Sequence, residues 1–194
     1  HNDIFKILND NIYGKINAPK VFIIEDDLDP NEINYLYEVS HCFVAPSRAE
    51  GFGLPFAEAK LKGLKLITTA WGGALDFCNN DEDILIDYDS GISSSHLNLY
   101  DSVWAEPKFN ELKLAMRECF AKREHHDKHK LIQKNKKLLE NYSWKSVSKK
   151  IYDFMNSNKD KNTTILPKVA FVSPINKRCG IATYSEHLIN HMGG

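Results

Sequence analysis

Two glutamates, Glu50 and Glu58, stand eight positions apart with two glycines and a proline between them, in Ala45-Pro46-Ser47-Arg48-Ala49-Glu50-Gly51-Phe52-Gly53-Leu54-Pro55-Phe56-Ala57-Glu58-Ala59. The apolar run His41 to Ala45 precedes this stretch and a helix-forming run follows it. The order reads as a strand, a glycine loop and a helix with proline in its first turn. Unpaired N–H groups and the dipole at such a helix start make a phosphate site. The two carboxylates then flank it. Glu50 belongs to the loop, over the helix N-terminus. Glu58 lies about one turn inside the helix, where an acceptor-only carboxylate suits a cis-diol such as that of a ribose. Glutamates at this spacing occur by chance, and glycine loops are often plain turn chemistry. The coincidence of all the parts in one strand–loop–helix context gives each of them a task.

The elements that must position these residues follow from the apolar pattern. Residues 3 to 12 predict a short helix stopped by Gly14, and Val21 to Ile24 a buried strand. Asp29 can cap a helix through Tyr37, with Pro30 at its first position. His41 to Ala45 read as the next strand, and Pro55 to Lys62 as the next helix, closed by Gly63. Leu64 to Thr68 and Ile84 to Ile86 read as further strands. Short, fully apolar strands alternating with helices mark a parallel sheet covered by helices on both faces. Residues 87 to 103 read as a polar loop. Lys108 to Asn141 carry helical periodicity through Phe109, Leu112, Met116 and Phe120, and Trp144 to Met155 form a last helix.

The chain of 194 residues allows one domain, or one and a part. Its formal net charge of −1 gives no reason to expect a nucleic-acid partner. No apolar run approaches the roughly 20 residues needed to span a bilayer. Cys42, Cys78, Cys119 and Cys179 are scattered, without a C-x-x-C pair, and read as reduced thiols of a cytoplasmic protein. His125, His126 and His129 have a metal-like spacing, but they sit among lysines, arginines and acids and are read as a solvated helix face. Glu25-Asp26-Asp27 follows a strand end, where it either bounds a base pocket through its backbone or is a solvated acidic turn. Trp71, beside a glycine pair, either stacks on a sugar or is an ordinary aromatic. The basic faces at Lys122-Arg123 and Lys134 to Lys137 suit an anionic membrane surface or plain solvation.

Pro-Ser-x-x-Glu-Gly-Phe-Gly-Leu-Pro-x-x-Glu-Ala resembles the E-x7-E signature of retaining GT-B glycosyltransferases of the family-4 type. Leu36-Tyr37, the strand Lys65 to Thr69, the turn Trp71-Gly72-Gly73 and Tyr142-Ser143-Trp144 are similar to further family features, so the likeness runs over about residues 20 to 155. The resemblance implies a Rossmann-like α/β fold, the GT-B C-terminal donor-binding domain, incomplete at its N-terminal end. No match is found for the family's first two strands or for its basic pair that grips donor phosphates.

By that resemblance Glu58 binds the donor ribose, and the N–H groups of Leu54 and Phe56 face the diphosphate. The backbone of Gly51, Phe52 and Gly53 holds the sugar hydroxyls. Glu50 lies at the sugar and stabilises positive charge as the glycosidic bond breaks. Gly72, Gly73 and Asp76 complete the donor-site candidates. The implied chemistry needs no metal and no cofactor. The implied partners are a nucleoside-diphosphate sugar and a glycan or lipid-linked glycan acceptor, as in bacterial surface polysaccharide synthesis, with peripheral contact at the inner face of the membrane. Two other readings stay open: a non-catalytic connector between two active transferases, and a sugar-nucleotide epimerase of the same fold.

The chain changes character after residue 158. Residues 159–167 read as a polar linker and residues 168–194 as the first strand and helix of a following domain. Val169-Ala170-Phe171-Val172 is a fresh apolar strand, and Cys179-Gly180-Ile181-Ala182-Thr183-Tyr184 resembles the opening turn of a second transferase. Residues 1–158 are then a partial donor domain, and the 194-residue chain by itself is expected to be inactive as a transferase. An apolar strand without its own domain pairs with a free sheet edge. Segment 168–191 is therefore expected in the donor domain's sheet or in a homodimer by strand exchange.

Overall fold

The computed structural model describes residues 2–16, 18–78, 82–93, 102–157 and 187–191. The chain divides into two units, His1–Tyr35 and Leu36–Gly194.

In the first unit, helix α1 (Asn2–Asn11) buries Leu8, and Gly14 turns the chain at φ 77°. Val21 to Ile24, expected as a buried strand, has no regular structure, and Phe22 is 82% exposed. A strand is held by its neighbours, and among the described residues none pairs here. Glu25-Asp26-Asp27 therefore follows no strand end. Helix α2 (Pro30–Val39) starts as its sequence requires. The Asp29 carboxylate accepts from the N–H groups of Asn31 at 2.7 Å and Glu32 at 2.9 Å, while Glu32 accepts from the Asp29 N–H at 2.8 Å. This is a reciprocal cap.

The second unit is built on a parallel sheet of strands β1 (Cys42–Ala45), β2 (Lys65–Thr69) and β3 (Ile84–Ile86), in the order β1-β2-β3. Ala45 lies opposite Thr68, so the chain leaves β1 and β2 at the same end of the sheet. Alternate strand residues serve opposite faces. Phe43, Ala45 and Leu66 pack with Phe56, Ala57 and Ala59 of helix α3 (Leu54–Leu61). Cys42, Ile67 and Ile86 pack on the other face with Leu112, Ala115 and Cys119 of helix α4 (Phe109–Ala121). The expected α/β sandwich is present, with helices on both faces.

α3 is pinned from beneath by a buried ion pair. Lys60 and Asp83 are each 1% exposed and joined Nζ to Oδ2. The second Asp83 oxygen accepts from the Leu66 N–H at 3.1 Å, and Asn135 of helix α5 (Lys128–Leu139) donates to the Lys60 carbonyl at 2.9 Å. The second unit includes the last residues of α2, and the Lys128 ammonium of α5 donates to the carbonyls of Tyr37 and Glu38 there.

Two expectations need correction. Part of the expected loop 87 to 103 is an antiparallel hairpin, β4 (Tyr88–Ile92) with β5 (Val103–Pro107). Its strands hold Asp, Gly and Pro, residues depleted in strands, so pairing and not propensity makes them. The periodic stretch Lys108 to Asn141 is two helices separated by a turn at Arg123–His125, and of its periodic apolar residues Leu112 packs on the core while Phe109, Met116 and Phe120 are exposed. Ala115, flanked by Leu112 and Cys119, faces the sheet.

Helix α6 (Trp144–Ser157) begins after Ser143, whose hydroxyl accepts from the Ser146 N–H at 3.2 Å. Residues 187–191 are helical, and His187 stacks on Trp144 at 5.0 Å. The expected linker and the strand Val169 to Val172 lie outside the described residues.

Candidate functional site

The residues between β1 and α3 form the loop that carries Glu50. α3 begins at Leu54 with Pro55 in its second position, one residue before the expected start. Gly53 precedes it in the left-handed region, at φ 82° and ψ 63°. A side chain there would be strained and would meet the Phe56 ring at 2.9 Å. Phe56, 3% exposed, belongs to the core and sits edge-on to Phe43 at 5.6 Å. Its N–H donates to the Gly53 carbonyl at 3.0 Å, a bond of the tight first turn. That bond occupies one of the two N–H groups assigned to a diphosphate by resemblance.

The turn after β2 docks directly on this loop. The Gly73 N–H donates to the Glu50 carbonyl at 3.1 Å. A Cβ at Gly73 would lie 1.9 Å from the Gly51 oxygen, and one at Gly72 would lie 2.9 Å from the Glu50 oxygen. Only glycine at both positions allows the two backbones to touch. Gly51, Phe52, Gly72 and Gly73 are thereby gathered around Glu50. Asp76 closes the following short turn (Gly73–Asp76), where its carbonyl accepts from the Tyr142 hydroxyl at 3.2 Å. Tyr142 and Phe77 both pack on the Phe52 ring, at 5.5 Å and 5.1 Å. Phe52 thus anchors the loop through its ring.

The two carboxylates have different partners. Glu50 is half-buried, and its Oε1 lies 3.4 Å from the Ser47 hydroxyl. Glu58 is exposed on α3, and its Oε2 accepts from the Tyr37 hydroxyl at 3.3 Å. Burial, then the Glu58 charge, pushes the Tyr37 phenol up to about 12, so it keeps its proton as a donor. Beside Glu58 runs a groove of about 340 Å³ whose walls include Phe52, Leu54, Leu61, Tyr142 and Trp144.

The hairpin forms a wall that the sequence does not announce. The Ala105 N–H donates to the Arg48 carbonyl at 3.0 Å, two residues before Glu50. The Arg48 Nε binds Glu106 at 2.9 Å, and its guanidinium lies 4.7 Å from the Trp104 ring centre. Trp71, 40% exposed, meets Tyr88 edge-on at 5.3 Å. Ser47, Tyr37 and Tyr142 stand within motifs that the sequence brings to notice. The Ser47–Glu50 contact is local, three residues apart, while those of Tyr37 to Glu58 and Tyr142 to Asp76 are long-range and carry no sequence spacing.

His126 is used structurally, with its Nε2 2.8 Å from the Gly63 carbonyl. Among the described residues no group of three or more His, Cys, Asp or Glu side chains is placed to hold a metal ion. Cys42, Cys78 and Cys119 are free thiols. Burial pushes Cys78 up to about 12, and burial beside Cys119 pushes Cys42 up as well. Neither offers a ready thiolate. Among the described residues no helix is long and apolar enough to cross a membrane.

Residues 10–92 match the family described as glycosyl transferases group 1. The matched stretch contains Tyr37, Glu50, Glu58 and the Trp71-Gly72-Gly73 turn, and it supports glycosyl transfer as the general activity. No curated protein matches the chain.

Proposed function

We propose that this chain is the donor-binding part of a retaining glycosyltransferase that uses a nucleoside-diphosphate sugar and needs no metal. The observation that carries the reading is the docking of Gly72 and Gly73 on the Glu50 loop, immediately before α3. In this reading one ligand meets Glu50, the start of α3 and Glu58 in turn.

In this reading Glu58 accepts hydrogen bonds from the ribose hydroxyls. The diphosphate lies at the start of α3, where the dipole and the N–H of Leu54 meet its charge. Gly51, Phe52 and Gly53 offer backbone to the sugar, since glycine lets a ligand approach closely. Asp76, exposed at the end of the short turn after Gly73, is the outer donor-site residue. Glu50, held by Ser47, stabilises the positive charge that develops as the bond from the anomeric carbon to the diphosphate oxygen breaks. The acceptor hydroxyl attacks on the same face and passes its proton to the departing phosphate oxygen. A glycosidase-like double displacement would need a second carboxylate near the anomeric carbon, and Glu58 is assigned elsewhere. The acceptor is a glycan or lipid-linked glycan of a surface polysaccharide, and the work is done in the cytoplasm or at the inner face of the membrane. The tandem arrangement, with a second transferase opening at residue 168, belongs to the same proposal.

The test is a thermal-shift screen of GDP, UDP, dTDP and ADP against the full-length protein, with and without EDTA. A ligand at 100 times its Kd raises stability by about 2.7 kcal/mol. A clear upward shift with one nucleotide, unchanged by EDTA, is expected. No shift with any of the four favours a connector, and a shift abolished by EDTA contradicts the metal-free route.

A further inference from the structure

We infer that Tyr37 is a positioning residue for Glu58, acting on the donor ribose through that carboxylate. The inference rests on the reading of Glu58 given above and adds a residue to it. Tyr37 lies in the last turn of α2, on a different element from the glycine loop. Its ring packs on Phe43 at 6.2 Å, so the phenol is held by the core and not by Glu58. Its hydroxyl lies 3.3 Å from Glu58 Oε2 and 3.4 Å from the Pro55 carbonyl. A phenol has one proton to give, and the charged oxygen is the stronger acceptor. The raised phenol pKa keeps that proton in place across the working pH range.

The consequence concerns an exposed, flexible side chain. A glutamate on a helix surface has several rotamers, and binding a diol must select one of them. Tyr37 selects it beforehand by holding Oε2, which leaves Oε1 for ligand hydroxyls. Preorganisation of this kind appears as ligand affinity.

The test uses Tyr37→Phe, Glu58→Gln and the double variant of the full-length protein. Calorimetry reads the nucleoside diphosphate that binds best among GDP, UDP, dTDP and ADP, and the same nucleotide lacking its ribose hydroxyls. Tyr37→Phe keeps the ring on Phe43, so it should fold, with its unliganded thermal midpoint lowered by no more than the worth of one net hydrogen bond. Its affinity for the hydroxylated nucleotide should fall roughly five- to tenfold, the range of one net hydrogen bond. Affinity for the dideoxy form should not change, and in the Glu58→Gln background the Tyr37 effect should vanish. Equal weakening of both nucleotides, no weakening at all, or a full Tyr37 effect in the Glu58→Gln background overturns the inference. If Glu58→Gln weakens binding and Tyr37→Phe does not, only the role of Tyr37 fails. If Glu58→Gln has no effect, or no nucleotide binds the wild type, the reading of Glu58 fails and the inference with it. Should Tyr37→Phe not fold, ring-labelled tyrosine in the wild type decides. The Tyr37 resonance should then shift with the hydroxylated nucleotide and not with the dideoxy form, and identical shifts contradict the inference.

Discussion

Gly73 donates its N–H to the Glu50 carbonyl at 3.1 Å, and its missing side chain is what lets the two loops meet. Any Cβ at position 73 would stand 1.9 Å from the backbone oxygen of Gly51, which cannot move without moving Glu50. Gly73→Ala should therefore destabilise the protein by about 1–3 kcal/mol, as overpacking does, and should abolish nucleotide binding. Urea denaturation and calorimetry read the two effects. A variant with wild-type midpoint and affinity would mean that the loops are apart in solution.

The Lys60–Asp83 pair should behave as a buried charge pair that is costly to break. Asp83→Asn keeps an acceptor for the Leu66 N–H but leaves the Lys60 ammonium buried without its counter-charge. Its cost should be about 3–5 kcal/mol. Adding Lys60→Met to that variant removes the stranded charge and should recover part of the loss. The cycle is measured by denaturant unfolding. An additive double variant would show that the two groups do not interact.

His126 makes a distinct prediction for pH. Burial holds its imidazole below its ordinary value of 6.5, and the nearby His41, Lys128 and Lys65 act in the same direction, while the bond to Gly63 opposes them. The unfolded chain thus binds a proton at this site more readily than the folded one. The contribution to stability is complete above pH 6.5 and is lost as pH falls through the lower folded pKa. The midpoint of thermal unfolding should decline between neutral pH and pH 5, and His126→Gln should flatten that decline. An identical slope in the variant would place the titration elsewhere.

Much of this architecture was legible because local chemistry and tertiary context agree. The apolar runs of β1, β2 and β3, the Asp29-Pro30 cap and the Gly53-Leu54-Pro55 helix start each read correctly for that reason. Val21 to Ile24 misled because four apolar residues make a strand only beside another strand. The hairpin was missed because Gly91 pairs with Trp104 across a gap that no local signal spans. Lys60 stands three and four residues after Ala57 and Phe56, on the core face of α3 where a lysine needs a partner, and only Asp83, far along the chain, supplies one. The candidate site divides in the same way. Its glutamates and glycines are spelled out in one segment. Ser47 reaches Glu50 within that same segment, whereas Tyr37 and Tyr142 acquire their contacts only through folding.

The central claim is that Glu58 holds the donor ribose while Glu50 acts on the reacting sugar, and separate measurement of donor affinity and turnover in Glu58→Gln and Glu50→Gln tests it most directly. Glu58→Gln should weaken nucleotide binding by about 1.5–3 kcal/mol, the worth of hydrogen bonds to a charged group. Glu50→Gln should leave nucleotide affinity near the wild-type value and lower turnover. Unchanged donor affinity in Glu58→Gln, or undiminished turnover in Glu50→Gln, would contradict the account.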